Sequence, residues 1–283
     1  MNITVIGLGL IGGSFAKSVK DLSAQYHLIG SDLSDYHESR ALDLGLVDEC
    51  LPVEEAISKA DVILLAVPVD KIAEQLVAIL DTIKSSQLVI DFGSTKFQIA
   101  QKVKGHSNRA NYLAAHPMAG TENTGPDAAI SGLFEDKILI VCDRDLTDPR
   151  LYNVAIEIFR QLSFDITFMD SEMHDNHIAY VSHLSHVSSF MLGLTVLDKQ
   201  QDEKSILNMA GSGFKSTVRL AMSSADMWTP IFLQNKENVK ASLSEYIDYL
   251  QKFEKALISE DEKALHRMMS DASKIRKILN KPR

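Results

Sequence analysis

Apolar residues follow two different patterns along the chain, and the change falls near residue 170. Up to that point, short β-rich apolar runs recur between stretches with apolar residues at helical spacing. Strands that are apolar along their whole length are typical of a parallel sheet with helices on both faces. We therefore predict a Rossmann-type, doubly wound, mostly parallel α/β sheet. The predicted strands are 2–6, 26–32, 60–68, 87–91, 112–115, 137–142 and 165–168, and the predicted helices between them are 14–22, 37–46, 70–83, 96–103 and 149–162.

Beyond residue 170 the strand pattern stops and apolar residues keep to helical spacing. Four amphipathic stretches, 172–197, 205–222, 226–257 and 260–279, predict an all-helical C-terminal part. We expect most of these apolar faces to pack as core, and some of them to form a dimer interface. The predicted domains are residues 1–170 and 171–283.

Composition and charge narrow the classes of function. The chain has 283 residues, which is enough for two domains of ordinary size. Its formal net charge of −9 argues against a nucleic-acid partner. Cys50 and Cys142 are too few for a disulfide framework, so we expect a reducing cytoplasm. The N-terminus is predicted as a strand rather than a signal peptide, and no apolar run approaches the ~18 residues of a membrane span.

The first predicted strand runs into a glycine turn, Gly7-x-Gly9-x-x-Gly12, and then into a helix. In the dinucleotide fingerprint, the first glycine allows a tight turn, the second lets the backbone approach a pyrophosphate, and the third lets helix and strand pack closely. Asp32 ends the second strand, where an acid can accept hydrogen bonds from ribose hydroxyls and would repel a 2′-phosphate. This pattern predicts NAD rather than NADP as the cofactor. The alternative is an ordinary glycine-rich turn, with Asp32 as a surface residue.

Polar side chains follow two later strands, at the sheet edge where ligands bind in such folds. His116 comes directly after the strand 112–115, and a histidine there is a candidate base near neutral pH. Its alternative is a loop histidine bonded to a backbone carbonyl. Ser94 follows the strand 87–91 and could bond His116 or the cofactor, or it could cap the helix that begins at Lys96.

The helix from residue 172 carries four histidines, and Arg219 follows a glycine-containing turn further on. Spacings of three place two pairs of the histidines on common faces. There is no HExxH motif and no nearby cysteine, so we expect no metal site. One or two of these histidines are expected to line a cleft. Arg219 could hold a substrate carboxylate as a bidentate pair, or it could pair with a neighbouring acid. The four histidines are His174, His177, His183 and His186.

Taken together and in order, these segments resemble the prephenate and arogenate dehydrogenase family. The resemblance runs from Met1 to about Val239. It rests on 7–14 (GLGLIGGS), 91–96 (DFGSTK), 116–125 (HPMAGTENTG), 174–175 (HD), 181–186 (VSHLSH), 211–215 (GSGFK) with Arg219, and 227–228 (MW) followed by 235–238 (NKEN).

The resemblance implies an NAD-dependent oxidative decarboxylation in tyrosine biosynthesis, with prephenate favoured over arogenate. It implies that residues 1–170 bind NAD and that residues 171–283 bind substrate and form a homodimer. His116 would accept the ring hydroxyl's proton and Ser94 would orient it. A carboxylate of the substrate would bind Arg219, and His186 would line the pocket. Assisting residues would be His183, Lys215, Thr121 and Glu122, and cofactor contacts would come from Gly7, Gly9, Leu10, Ile11, Gly12, Asp32, Val67, Pro68 and Ser94.

Three serines depart from the family pattern near the expected pocket: Ser185, Ser212 and Ser216. The chain also has no room for an appended regulatory domain, so tyrosine, if it inhibits, is expected to act at the active site. Two other hypotheses stay open. One is a β-hydroxyacid-type dehydrogenase, although Gln234-Asn-Lys236 lacks that group's preceding glycine. The other is a redox sensor that binds NAD and regulates a partner.

Overall fold

A computed structural model of the protein describes residues 1–23, 25–203 and 205–280. Its centre is one eight-stranded sheet in the order β3-β2-β1-β4-β5-β6-β7-β8. All neighbouring strands are parallel except β6 and β7, which are antiparallel. The predicted mostly parallel α/β sheet is therefore confirmed. The strands are β1 Asn2–Ile6, β2 His27–Ser31, β3 Glu49–Cys50, β4 Val62–Leu65, β5 Leu88–Asp91, β6 Tyr112–Pro117, β7 Ile138–Cys142 and β8 Asp165–Met169.

The strand order reverses between β1 and β4, which lie side by side although β2 and β3 come between them in the chain. In open α/β sheets, ligands bind beyond the carboxyl ends of the strands at such a point. The glycine turn follows β1, and residues 66–68 follow β4. The topology therefore predicts a ligand crevice between these two segments.

Helices cover both faces of the sheet, and side-chain caps explain where several of them begin. Ser34 accepts a hydrogen bond from the His37 N–H, and Asp148 from the Arg150 N–H, so each satisfies a backbone donor of a first turn. The helices of this part are α1 Leu10–Leu22, α2 Asp35–Asp43, α3 Val53–Lys59, α4 Val69–Thr82, α5 Phe97–Val103 and α6 Pro149–Gln161.

The sheet separates two apolar cores. On one face, Phe92 contacts four other aromatic rings, Phe15, Phe134, Phe159 and Phe164. On the other face, residues of α4 and α5 form a core that also includes Trp228 and Ile231. The helix that carries Trp228 and Ile231 therefore packs on this face of the sheet.

The chain forms two compact units, Met1–Lys236 and Glu237–Arg283. The first unit contains the sheet and a following helical region: α7 Ser171–Ile178, a π-helical turn Ala179–His183, α8 Leu184–Asp202, α9 Ser212–Thr217 and α10 Ala225–Gln234. The second unit contains α11, which begins at the boundary (Lys236–Ile258), α12 Glu262–Ala272 and α13 Ile275–Leu279. A helical region after the sheet is confirmed, whereas the domain division at residue 170 stays a prediction.

Several predicted elements were wrong in detail. Residues 205–222 are not one helix: they form two 3-10 turns around the short α9, because Gly211 and Gly213 disfavour a continuous helix. The predicted helix 172–197 is interrupted by the π-helical turn. Helix α1 begins at Leu10, inside the glycine motif. Strand β3 and helix α3 were not predicted, because they are too short to show a clear period. Among the described residues, no helix is long and apolar enough to cross a membrane.

Candidate active site

The glycine turn has the shape that a bound pyrophosphate requires. Gly7 has a φ of +94°, and a Cβ there would lie 2.6 Å from the carbonyl oxygen of Ala66. A Cβ on Gly12 would lie 1.9 Å from the Gly7 oxygen, so helix and turn pack together without side chains. Gly9 is different, because no atom of the described residues lies within 4 Å of its added Cβ. The second glycine therefore faces open space that a phosphate can enter.

Helix α1 begins next to this space without a side-chain cap. Its N-cap residue is Gly9, which offers no acceptor, and no acidic residue lies in the first turn. The first N–H groups of a helix have no intrahelical partner, and together with the positive end of the helix dipole they favour an anion. Leu10 and Ile11, the first two helical residues, are half-buried beside this opening. The turn and helix thus fit a dinucleotide pyrophosphate.

Asp32 lies at the end of β2 and is tied to the glycine turn. Its Oδ2 accepts a 2.7 Å hydrogen bond from the Leu8 N–H, and its Oδ1 accepts one from the Ser34 N–H at 3.0 Å. The His37 Nδ1 lies 3.2 Å from Oδ1. The nearby Arg40 is bound to Asp127 through Nε at 2.7 Å. Among the described residues, no arginine forms an ion pair with Asp32, which therefore fits ribose hydroxyls better than a 2′-phosphate.

His116 is buried within β6 rather than in a loop after it. Its backbone pairs with Ile140 of β7, because the antiparallel ladder continues as far as Pro117 and Leu139. This corrects the predicted strand end at Ala115. The Nδ1 of His116 lies 2.9 Å from Nε2 of His174, which is fully buried on α7. Burial lowers the pKa of His116 well below its usual value, and nearby His174, Lys96 and His183 lower it further.

Asp175 holds His174 in place from the other side. Its Oδ1 lies 2.7 Å from Nδ1 of His174 and also accepts the Lys96 N–H at 2.8 Å. Its Oδ2 accepts the Phe97 N–H at 3.0 Å. The carboxylate thus joins α7 to the loop after β5, and the three side chains His116, His174 and Asp175 form one hydrogen-bonded chain.

A buried ion pair supports the loop after β5, which binds Asp175. The Nζ of Lys96 contacts Oδ1 of Asp91, and both side chains are fully buried. The other carboxylate oxygen accepts a 2.5 Å hydrogen bond from the Tyr112 hydroxyl. A buried charge is tolerated only when it is paired and hydrogen-bonded. These contacts fix the loop whose backbone N–H groups hold Asp175.

The π-helical turn between α7 and α8 places His183 beside Asn235. The Asn235 Nδ2 donates to the Asp175 carbonyl oxygen at 2.6 Å and lies 3.2 Å from Nδ1 of His183. An amide nitrogen only donates, so His183 Nδ1 accepts and Nε2 carries the hydrogen. Burial lowers the pKa of His183 to about 4, so the ring is neutral at neutral pH. π-Helical turns are frequent at functional sites, and this one supplies a fixed N–H donor.

His186 and Trp228 form an aromatic wall one turn further along α8. Their rings are stacked, with centres 3.5 Å apart and planes inclined by 26°. His183 meets the same indole edge-on, with ring centres 5.8 Å apart. The Trp228 Nε1 is buried and has no hydrogen-bond partner among the described residues. Burial lowers the pKa of His186, the Ser182 carbonyl opposes this, and the charge of Arg219 lowers it further, so Arg219 lies close to this wall.

The other predicted site residues are placed less tightly. Ser94 is half-buried, and within the described residues it neither bonds His116 nor caps α5, which begins after Lys96. Val67 borders the glycine turn, because its Cγ1 lies 3.0 Å from an added Gly7 Cβ. Thr121 is half-buried and accepts the Asn123 N–H at 3.2 Å. The exposed residues are Pro68, Glu122, Lys215 and Arg219. All of these assignments stay predictions.

The spacing of three residues placed His174 and His177 on one predicted helix face, but His174 is fully buried and His177 is exposed. The roles of Asp175, Lys96 and Asn235 were also missed. The adjacent histidine and aspartate at the start of a helix were the available signal, because a buried carboxylate usually holds a buried histidine. Within the described residues, no group of three or more His, Cys, Asp or Glu side chains is arranged to hold a metal ion.

Comparison with known proteins identifies relatives along the whole chain. A cyclohexadienyl dehydrogenase of Zymomonas mobilis is 29% identical over 277 residues, which is 97% of this chain and 94% of the relative. A prephenate dehydrogenase of A. aeolicus, solved with hydroxyphenyl propionate and NAD+, is 27% identical with a TM-score of 0.91, covering 99% of this chain and 98% of that one. A Synechocystis arogenate dehydrogenase is 25% identical with a TM-score of 0.80, covering 99% and 100%.

Two family models cover most of the sequence. The nucleotide-binding domain of prephenate dehydrogenase matches residues 15–167, and the dimerization domain of prephenate dehydrogenase matches residues 170–271. These matches confirm the resemblance to the prephenate and arogenate dehydrogenase family that the sequence motifs indicated. The members of this family are oxidoreductases. The sheet and the helices that follow it agree with these matches, and the chain belongs to the prephenate dehydrogenase family.

Proposed function

We propose that the chain catalyses the NAD-dependent oxidative decarboxylation of prephenate to 4-hydroxyphenylpyruvate, a step of tyrosine biosynthesis. One observation carries the proposal. His116 is a buried neutral histidine at the carboxyl-end edge of the sheet, the edge that also holds the glycine turn. A general base and a dinucleotide turn on one edge fit a reaction that removes a hydroxyl proton and a hydride from the same substrate.

The chain's own groups have separate tasks in this reaction. When bound, NAD supplies the acceptor for the hydride. His116 accepts the hydroxyl proton while the carbon that bears this hydroxyl loses its hydride. The ring carboxylate leaves as carbon dioxide, and the electron pair of the broken bond completes the aromatic ring. The proton then returns from His116 to the ring oxygen, so His116 is restored and no net proton is released.

Binding and orientation would come from the second half of the unit Met1–Lys236. Arg219 would pair with a substrate carboxylate, and His186, stacked on Trp228, would line the pocket. The N–H of His183 would donate a hydrogen bond there. Ser94, which forms no hydrogen bond to His116 within the described residues, would contact the nicotinamide, and Thr121, Glu122 and Lys215 would lie nearer the pocket entrance.

The cofactor contacts follow from the glycine turn. We propose that Gly7, Gly9 and Gly12 form the pyrophosphate cradle and that Asp32 binds the adenosine ribose. The space beside Gly9 and the uncapped start of α1 support this. Further contacts would come from Leu10, Ile11, Val67, Pro68 and Ser94.

The test is NADH formation in the presence of NAD and either prephenate or arogenate, followed by the absorbance of the reduced nicotinamide. Rapid turnover of prephenate is expected. Turnover of arogenate alone would replace the substrate, an alternative supported by the likeness to the Synechocystis enzyme. No turnover of either, in a protein that binds NAD, would contradict the proposal and favour a β-hydroxyacid dehydrogenase or an NAD-binding sensor.

We also propose that the chain is a cytoplasmic homodimer through its helical region, with residues 1–170 as the NAD domain and 171–283 as the substrate and dimer domain. The match to a dimerization domain at residues 170–271 supports this. Ile247, Leu250, Phe253 and Leu257 form an exposed apolar stripe along α11.

The free cysteines Cys50 and Cys142 agree with a reducing compartment. If tyrosine inhibits the enzyme, it would compete with substrate at the active site.

A further inference from the structure

The hydrogen bonds that link His116, His174 and Asp175 have a direction, which follows from the donors and acceptors at each side chain. Asp175 accepts two backbone N–H bonds, so its carboxylate faces His174 Nδ1 as an acceptor as well. Nδ1 of His174 therefore carries the hydrogen. In a neutral imidazole only one nitrogen is protonated, which leaves Nε2 of His174 as an acceptor.

The acceptor on His174 also determines which nitrogen of His116 carries the hydrogen. Its Nδ1 lies 2.9 Å from the acceptor Nε2 of His174, so this Nδ1 must carry the hydrogen. Nε2 of His116 is then the unprotonated nitrogen. Burial lowers the pKa of His174, even though Asp175 opposes the shift. Both rings are therefore neutral. A positively charged His174 would instead donate from Nε2 to His116 and reverse the direction of that hydrogen bond.

We propose that His174 and Asp175 are positioning residues that fix the tautomer of His116, so that its Nε2 holds the lone pair that accepts the substrate's hydroxyl proton. The inference rests on the proposed function and adds two residues to it. An isolated neutral histidine favours hydrogen on Nε2, the wrong nitrogen for this task. The buried partners select the other tautomer and hold the ring in place, the role that an aspartate has in a catalytic triad.

The same contacts stabilise the protonated intermediate. When His116 Nε2 takes the proton, the new positive charge is shared through the Nδ1–H bond to His174, and the Asp175 carboxylate lies at the far end of the chain. Asp175 itself is held by the N–H groups of Lys96 and Phe97, whose loop is fixed by the buried Lys96–Asp91 pair.

Nitrogen-15 NMR of the wild-type protein with labelled histidine tests the tautomer directly. We expect His116, assigned by the missing signal in His116→Asn, to show hydrogen on Nδ1 and a bare Nε2. Hydrogen on Nε2 of His116 would overturn the proposal whether or not the enzyme turns over prephenate. If the tautomer is as expected and neither substrate reacts, the positioning survives and the proposed reaction does not.

Matched substitutions of His174 separate positioning from packing. The amide oxygen of His174→Gln reaches the place of Nε2 and keeps the acceptor for His116, whereas His174→Asn has its amide at the place of Nδ1 and loses it. We expect His174→Gln to retain turnover within about 10-fold and His174→Asn to lose about 10²-fold or more in kcat, with an unchanged KM for NAD. His177→Gln, on the exposed face of the same helix, is the control. Equal turnover of the two His174 variants would contradict the proposal.

Asp175→Asn removes the charge with almost no change of shape. The amide then presents an N–H toward His174 or toward the Phe97 N–H. We expect a fall in kcat of about 10²–10⁴-fold together with a shift of His116 hydrogen toward Nε2. Glu172→Gln, an exposed acid on α7, is the control and should stay close to wild type. A folded Asp175→Asn enzyme with wild-type kcat would overturn the role of the carboxylate.

Discussion

The carboxylate of Asp32 accepts a 2.7 Å hydrogen bond from the backbone N–H of Leu8, inside the glycine turn. Asp32 therefore has two separable tasks: it shapes the turn and it carries the charge that selects the cofactor. Asp32→Asn removes the charge and keeps one side-chain acceptor for two backbone donors, the N–H groups of Leu8 and Ser34, whereas Asp32→Ala removes the charge and both acceptors.

We expect both Asp32 substitutions to weaken the preference for NAD over NADP, measured as the ratio of kcat/KM values. Asp32→Ala should also lower the free energy of unfolding, by about 1–3 kcal/mol and by more than Asp32→Asn, because it leaves the N–H groups of Leu8 and Ser34 without their side-chain acceptors. An unchanged cofactor ratio in both variants would mean that the acid does not contact the ribose.

Local patterns predicted this part of the fold well. A strand, three glycines, a helix and an acid within 32 residues are one supersecondary unit, so short-range spacing predicts the order of its parts, although not the start of α1. The His116–His174 contact is of another kind, because 58 residues separate the partners. Helical spacing alone paired His174 with His177 and could not show that His174 turns toward β6. The sequence pattern also could not predict that β7 runs antiparallel to β6, because an apolar strand has the same pattern in either direction.

His116 is the residue whose loss should affect chemistry most. We expect His116→Asn to lower kcat by about 10²–10⁴-fold, as for the loss of a general base, and to leave the dissociation constant of NAD nearly unchanged. Stopped-flow turnover and calorimetric NAD binding measure the two effects. The control is His106→Asn, which removes a histidine that bonds Asp81 at the surface. Wild-type turnover in His116→Asn would remove this residue from the mechanism.

The pH dependence of the rate should reflect the burial of His116. Burial, assisted by His174, Lys96 and His183, lowers the pKa of His116 below the ordinary histidine value of about 6.5. A base works only when it is unprotonated, so its activity is lost as the pH falls through this lowered pKa. We expect kcat/KM for prephenate to stay level between about pH 7.5 and 6.5 and to fall only below that range. An acid limb centred above the ordinary value would contradict a buried neutral base.

Arg219 is expected to act in binding rather than in proton transfer. It lies close enough to His186 to lower the pKa of that ring, after the larger effect of burial, and its exposed guanidinium can form a bidentate pair with a carboxylate. We expect Arg219→Ala to raise the KM for prephenate roughly 10–100-fold, since a hydrogen bond to a charged group contributes about 1.5–3 kcal/mol. Arg160→Ala, on the exposed side of α6, is the control. A change confined to the KM for NAD would contradict this assignment.

The buried pair of Lys96 and Asp91 should dominate the stability of the loop behind the site. Lys96→Met leaves the Asp91 carboxylate buried without its cation, and losing one partner of such a pair costs about 3–5 kcal/mol. Tyr112→Phe removes only one hydrogen bond to the same carboxylate, so we expect a smaller loss of about 1–3 kcal/mol. Urea unfolding measures both values. The exposed pair of Lys71 with Asp70 is the matched control, and Lys71→Met should change little because solvent screens that contact. If Lys96→Met were as stable as Lys71→Met, the loop would be held by its backbone contacts to Asp175 rather than by the ion pair.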